Sequence, residues 1–176
     1  MSDLPVGRLG VAGTQRATLA CFCGWLGHPK RGCKCTPTDF TRYAARVSGP
    51  VLDRLDLQIE VPALTSDELL ASSTGESSAS VRERVLVARK RQRDRGGLNA
   101  LLSNAALREH CALDAAGRRL IADAVDRGGM SARGVHRALR VARTIADLAA
   151  EERVTAMRLA EALQYRAYEA RRFVAR

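Results

Sequence analysis

Cys21, Cys23, Cys33 and Cys35 stand as two Cys-x-Cys pairs in the stretch CFCGWLGHPKRGCKC. Clustered thiolates are soft ligands, and four of them match a closed tetrahedral zinc site. The Cys-x-Cys spacing is tighter than the Cys-x-x-Cys of common zinc knuckles, so spacing leaves three outcomes open: zinc, disulfides, or an ordinary loop with four small thiols. The opening MSDLPVGRLGVAGTQRATLA has neither the cationic head nor the apolar stretch of a secretory signal. No apolar run of membrane-spanning length follows it, so the expectation is a cytoplasmic chain with no membrane association. In a reducing compartment metal ligation is favoured over disulfides. His28 beside Pro29 reads as a turn residue, and Cys111, alone in a helical stretch, as a small buried apolar group.

Arginine supplies the second kind of chemistry. The chain carries a net charge of +10, which points to polyanionic partners. Between Arg82 and Arg95 seven cations stand against Glu83 and Asp94, a local balance of +5. Such a run is either a solvated face or a phosphate-contacting one, and its density names Arg89, Lys90, Arg91 and Arg93 as candidate nucleic-acid contacts. Further along, Arg133, Arg137 and Arg140 share a helical face with Thr144, opposite the apolar side, which predicts a solvent-facing stripe. The sequence contains no G-x-x-x-x-G-K-[ST] phosphate loop and no Ser/His/Asp or Cys/His set. His110 and His136 read as surface residues.

The elements that must position these groups are mostly helical. Only 4% of residues are aromatic, so a core must come from Leu, Val, Ile and Ala, which suits packed helices. Residues 49–62, GPVLDRLDLQIEVP, alternate Leu55, Leu57, Ile59 and Val61 with polar residues and predict one strand with a buried face. A Ser/Thr/Gly-rich connector covers 63–80. The spacing then predicts helices from about Ser80 to Arg95, stopped by Gly96-Gly97, and from about Asn99 to Leu107. Three more follow: one capped by Asp114 and closed by Gly128-Gly129, one capped by Ser131, and one capped by Thr155 that buries Leu159, Ala160 and Leu163.

The succession CFCG, CKCTP, RYAARVSGPVLDRLDLQIEVP, GESSASVRERVLVARKRQ, LNA, SARGVHRALRVARTIADL and EALQYR resembles the carboxyl-terminal part of the magnesium-chelatase-like AAA+ ATPases. The nearest branch is the competence-associated ComM/YifB group, known for a hexameric DNA branch-migration helicase. The resemblance implies a mainly α fold. Residues 1–62 are then a remnant of the α/β core with its Cys loop and one strand, 63–80 a connector, and 81–176 a helical lid. It also implies that Arg54 acts as an arginine finger in trans and Arg133 as sensor 2, with ATP and magnesium held only by a P-loop-bearing partner. This chain departs from the family in placing Leu19-Ala20 where relatives carry Asn-Pro before the first Cys-x-Cys, and in lacking the Walker A and Walker B halves. The expectation is a truncated or split member.

Three functional readings fit these residues. The chain is a lid and finger fragment, not catalytically competent alone. Or residues 115–149, helix, GGMS turn, helix, form a helix-turn-helix-like DNA-binding element using the arginine stripe. Or it is a non-functional relic.

Overall fold

The computed structural model describes residues 23, 25, 31–45, 54–59, 64–70 and 75–166. Contacts divide the chain into two units, Met1–Val47 and Ser48–Arg176. In the first, helix α1 spans Pro37–Ala45. Pro37 occupies the first helical position, where its missing N–H costs nothing. Thr36 and Asp39 cap one another: the Thr36 backbone N–H donates to Asp39 Oδ2 at 2.9 Å, and the Asp39 N–H to Thr36 Oγ1 at 3.2 Å. The Thr36 bonds hold the Asp39 carboxyl below its ordinary range.

The second unit is a stack of helices whose starts are written in capping residues. After the short α2 (Ser66–Leu70), exposed throughout, come α3 (Ser78–Asp94), a 3-10 turn (Asn99–Leu101), α4 (Asn104–His110), α5 (Ala115–Asp126), α6 (Ala132–Leu148) and α7 (Ala156–Gln164). From α3 to α7 each α-helix opens on a Ser, Thr or Asp side chain, Ser77, Ser103, Asp114, Ser131 or Thr155, that accepts a backbone N–H of the first turn. Removing such a cap typically costs ~1 kcal/mol. Helix α3 stops where the sequence predicts. The Gly97 N–H reaches Gln92 O at 2.9 Å and the Gly96 N–H reaches Arg93 O at 3.0 Å, a Schellman closure that Gly96 permits by adopting φ +108°.

The core is small and aliphatic, as the scarcity of aromatics requires. Leu107, Cys111, Ala142, Ala146, Val154, Leu159 and Ala162 are buried, with Leu120, Ile121, Leu139, Ile145 and Leu163 packed around them. Helix α6 runs through the middle, and its buried Ala138, Ala142 and Ala146 allow neighbouring helices to approach closely. Burial pushes the Cys111 thiol up to about 11, so it stays neutral at physiological pH, and its S–H faces Leu139 O at 3.7 Å.

Three expectations need correction. No strand forms among residues 54–59: Leu57 is 50% and Ile59 67% exposed. A strand is held by a ladder of backbone bonds, and the backbone bond of this segment among the described residues runs from the Gln58 N–H to Tyr165 O at 2.8 Å. The stretch Asn99 to Leu107 is two elements, because Ser103 caps a new helix within it. In α7 the fully buried residues are Leu159 and Ala162, while Ala160 and Leu163 are half-buried. The architecture is mainly α, a lid-type helical domain, and the other unit carries the Cys-rich region.

Candidate nucleotide-facing arginines and thiol cluster

Arg54 lies in an exposed turn, and the residues just beyond it are tied down at three points. Arg166, 2% exposed, sends Nη1 to Leu55 O at 2.8 Å. Arg137 pairs with the Asp56 carboxylate, and the Gln58 backbone is bonded to the end of α7 through Tyr165 O. Beside this crossing, a Cβ on Gly134 would meet Met130 Cγ at 2.9 Å, so the methionine side chain would have to shift, while Arg166 Nη2 at 3.6 Å would be in ordinary contact.

The predicted arginine stripe is not a free surface. Arg133, on the first turn of α6, is exposed, but Arg137 is engaged by Asp56 and Arg140 donates to Leu102 O at 2.8 Å. Thr144, the fourth member, accepts from Asn99 Nδ2 at 3.1 Å and donates to Arg140 O at 2.9 Å. A guanidinium gains most where a carboxylate or carbonyl is at hand, and here loop segments fold over the polar side of α6 and supply both. His110 and His136 are likewise half-buried rather than on the surface.

Beneath the stripe lies a buried polar cluster that the sequence reading missed. Asp147, with no exposed side-chain surface, receives both arms of Arg95, Nη2 at 2.5 Å and Nη1 at 3.1 Å, together with Asn99 Nδ2 at 2.7 Å. Arg143, 1% exposed, also reaches Asp147 at 3.0 Å and donates to the Glu151 and Glu152 carbonyls, each at 2.7 Å. Burial alone would push the Asp147 carboxyl up; the Arg95 and Asn99 hydrogen bonds and the Arg143 and Arg95 charges outweigh it and hold the group below its ordinary range. The cluster joins the end of α3, the 3-10 turn, α6 and the α6–α7 loop. One signal pointed to it: Arg143 and Asp147 are an i,i+4 pair, each directly following a core alanine.

On α3 the basic residues divide. Arg84 pairs with Glu76 at 2.7 Å, Lys90 with Asp94 at 2.8 Å, and Arg95 belongs to the buried cluster. Among the described residues no ion pair engages Arg82, Arg89, Arg91 or Arg93. Arg82 and Arg93 are exposed, and Arg89 and Arg91 half-exposed.

In the Met1–Val47 unit, the Sγ atoms of Cys23, Cys33 and Cys35 lie within 4.8 Å of one another, a donor set able to hold a metal ion. Cys21 and His28 lie outside the described residues. Among the described residues no helix is long and apolar enough to cross a membrane.

A mainly α, lid-type domain with caps at every major helix start, joined to a segment that carries an exposed arginine, defines the class. The chain belongs to the magnesium chelatase family: residues 75–166 match the model of the magnesium chelatase subunit ChlI C-terminal domain, and residues 15–69 match that of subunit ChlI itself. It is 44% identical over 134 residues to competence protein ComM of Haemophilus influenzae, covering 75% of this chain and 26% of that protein. It is 41% identical over 139 residues to the uncharacterised protein YifB of Salmonella typhimurium, covering 77% and 27%. With an uncharacterised protein of Mycobacterium bovis it shares 39% identity over 145 residues, covering 80% and 29%. The chain therefore spans little more than a quarter of the length of the curated relatives it matches.

Proposed function

We propose that this chain is the lid and finger portion of a magnesium-chelatase-like AAA+ ATPase, presenting Arg54 in trans and Arg133 as sensor 2 to a nucleotide held by a P-loop-bearing subunit. The observation that carries the reading is that both arginines are exposed within one unit, with the Arg54 turn fastened to the helical domain at Leu55, Asp56 and Gln58. Phosphoryl transfer is catalysed almost entirely by positioning and charge stabilisation. A guanidinium remains charged throughout and offers a planar fork to phosphate oxygens. ATP and magnesium belong to the partner's P-loop; this sequence has no Walker A segment, so no step of turnover is assigned to the chain alone. The partner is a P-loop-bearing AAA+ subunit, in the hexameric arrangement that the resemblance implies.

The same proposal assigns α3 to nucleic acid. Its candidate contacts are Arg89, Lys90, Arg91 and Arg93: among the described residues no ion pair engages the three arginines, Lys90 meets Asp94 in an exposed pair, and phosphate contacts position a protein without reading bases. The helix-turn-helix alternative has less support, because Arg137 and Arg140 are engaged within the protein. Co-sedimentation with a P-loop-bearing family member tests the main reading: association that requires a non-hydrolysable ATP analogue supports it, and association indifferent to nucleotide overturns it.

A further inference from the structure

We propose that Cys23, Cys33 and Cys35 hold one zinc-class divalent ion, which ties the chain at Cys23 to the segment that carries Cys33 and Cys35. The three sulfurs lie within 4.8 Å of one another, with Cys23 and Cys33 at 3.4 Å. A tetrahedral zinc with bonds of about 2.3 Å sets its sulfurs roughly 3.8 Å apart, so the triangle accepts the ion with little rearrangement. The Cys23 to Cys33 separation is well beyond the ~2.05 Å of a disulfide, and a third thiol beside the pair is what metal ligation needs and a disulfide does not.

A second contact spans the same interval of sequence. Between Cys23 and Cys33, the Arg31 guanidinium stacks over the Trp25 ring at 4.2 Å from its centroid. Trp25 is two residues from Cys23 and Arg31 two residues from Cys33, so this contact joins the same two stretches of chain that the Cys23 and Cys33 sulfurs bring together. Three thiolates around a divalent ion carry a net charge of about −1, and Arg31 and Lys34, adjoining the ligands in sequence, offset it. Among the described residues of this unit the three cysteine side chains are half-buried, so the thiol triangle is partly shielded from water.

The test uses the full chain, reduced, stripped with a chelator and titrated with Co²⁺ as a spectroscopic probe, then with Zn²⁺. The expected result is one equivalent of Co²⁺ with intense sulfur-to-cobalt charge transfer and tetrahedral visible bands, displaced by one equivalent of Zn²⁺. Trp25, the sole tryptophan, should change its fluorescence at the same stoichiometry. Cys23→Ser, Cys33→Ser and Cys35→Ser should each weaken binding by about 100-fold or more, beyond the ~10- to 100-fold of an outer-shell loss, while Cys111→Ala leaves it unchanged. Absence of charge transfer in the unaltered chain overturns the proposal, whatever the variants do. So does full-affinity binding by Cys33→Ser or Cys35→Ser.

Discussion

Arg137, on the second turn of α6, pairs with Asp56, which lies 81 residues earlier and two residues beyond Arg54. One helix thus carries Arg133 and also holds the turn that presents Arg54. Arg137→Ala should release residues 55–58 without unfolding the domain, because a partly exposed ion pair contributes only about 0.2–1 kcal/mol. The check is hydrogen exchange at the Gln58 amide, whose bond to Tyr165 O depends on the docking. It should quicken severalfold in Arg137→Ala and in Asp56→Ala, while the Ala142 and Ala146 amides keep their rates; unchanged exchange at Gln58 would show that the ion pair holds nothing.

The Arg95, Asn99, Arg143 and Asp147 cluster should dominate stability. Asp147→Ala leaves two arginines facing a site without its carboxylate, one of them fully buried, and should cost about 3–5 kcal/mol in urea unfolding. Replacing the pair together, Arg143→Met with Asp147→Leu, should cost less than the single change, since the fully buried guanidinium leaves with its partner and only Arg95, 16% exposed, loses its carboxylate. Equal losses would mean that the cluster is solvated rather than dry.

Acid should act through the same carboxylate. The folded value of Asp147 lies below its unfolded one, so the unfolded chain takes up a proton first. The Asp147 contribution is then fully present above about pH 4 and disappears as pH falls through the folded value. Urea midpoints from pH 7 down to pH 3 should fall more steeply in the unaltered chain than in Asp147→Asn. Parallel curves would remove Asp147 as the titrating group.

Much of the helical unit is legible in the sequence because its signals are local. Asp114, Ser131 and Thr155 are caps that need only their own first turn, and Gly96 ends α3 by a backbone conformation few other residues adopt. What the sequence conceals is which polar residues meet across the chain. Arg137 and Arg140 read as solvent-facing because periodicity reports one helix and nothing of the loops packed against its polar side. The alternation Leu55, Leu57, Ile59 likewise carries a strand signature, but a strand exists only where a neighbour supplies its ladder. Of the site, the thiol cluster was visible from spacing, whereas the anchoring of Arg54 by Arg166 and Arg137 spans too many residues for any local pattern to show.

DNA binding by α3 should be weak, indifferent to sequence and sensitive to salt. If about four cations contact phosphates, log affinity should fall against log salt with a slope near ~3.6 in magnitude on duplex DNA. Changing Arg89, Lys90, Arg91 and Arg93 to Gln should flatten the slope by a similar amount on two unrelated duplexes. Retention of the full slope would move the contact elsewhere, and strong sequence preference lost through Arg133 would favour the helix-turn-helix reading.

The most direct test of the account is complementation of ATP turnover. A P-loop-bearing family member whose own finger arginine has been replaced is mixed with this chain, and hydrolysis is measured with unaltered, Arg54→Ala and Arg133→Ala versions. Arginine fingers contribute about 10³ to 10⁵ in rate. The account predicts that the unaltered chain restores a large part of that loss, that neither Ala version does, and that the chain alone hydrolyses nothing above background. Equal restoration by the unaltered and Arg54→Ala chains, or turnover by the isolated chain that survives Arg54→Ala, would contradict it.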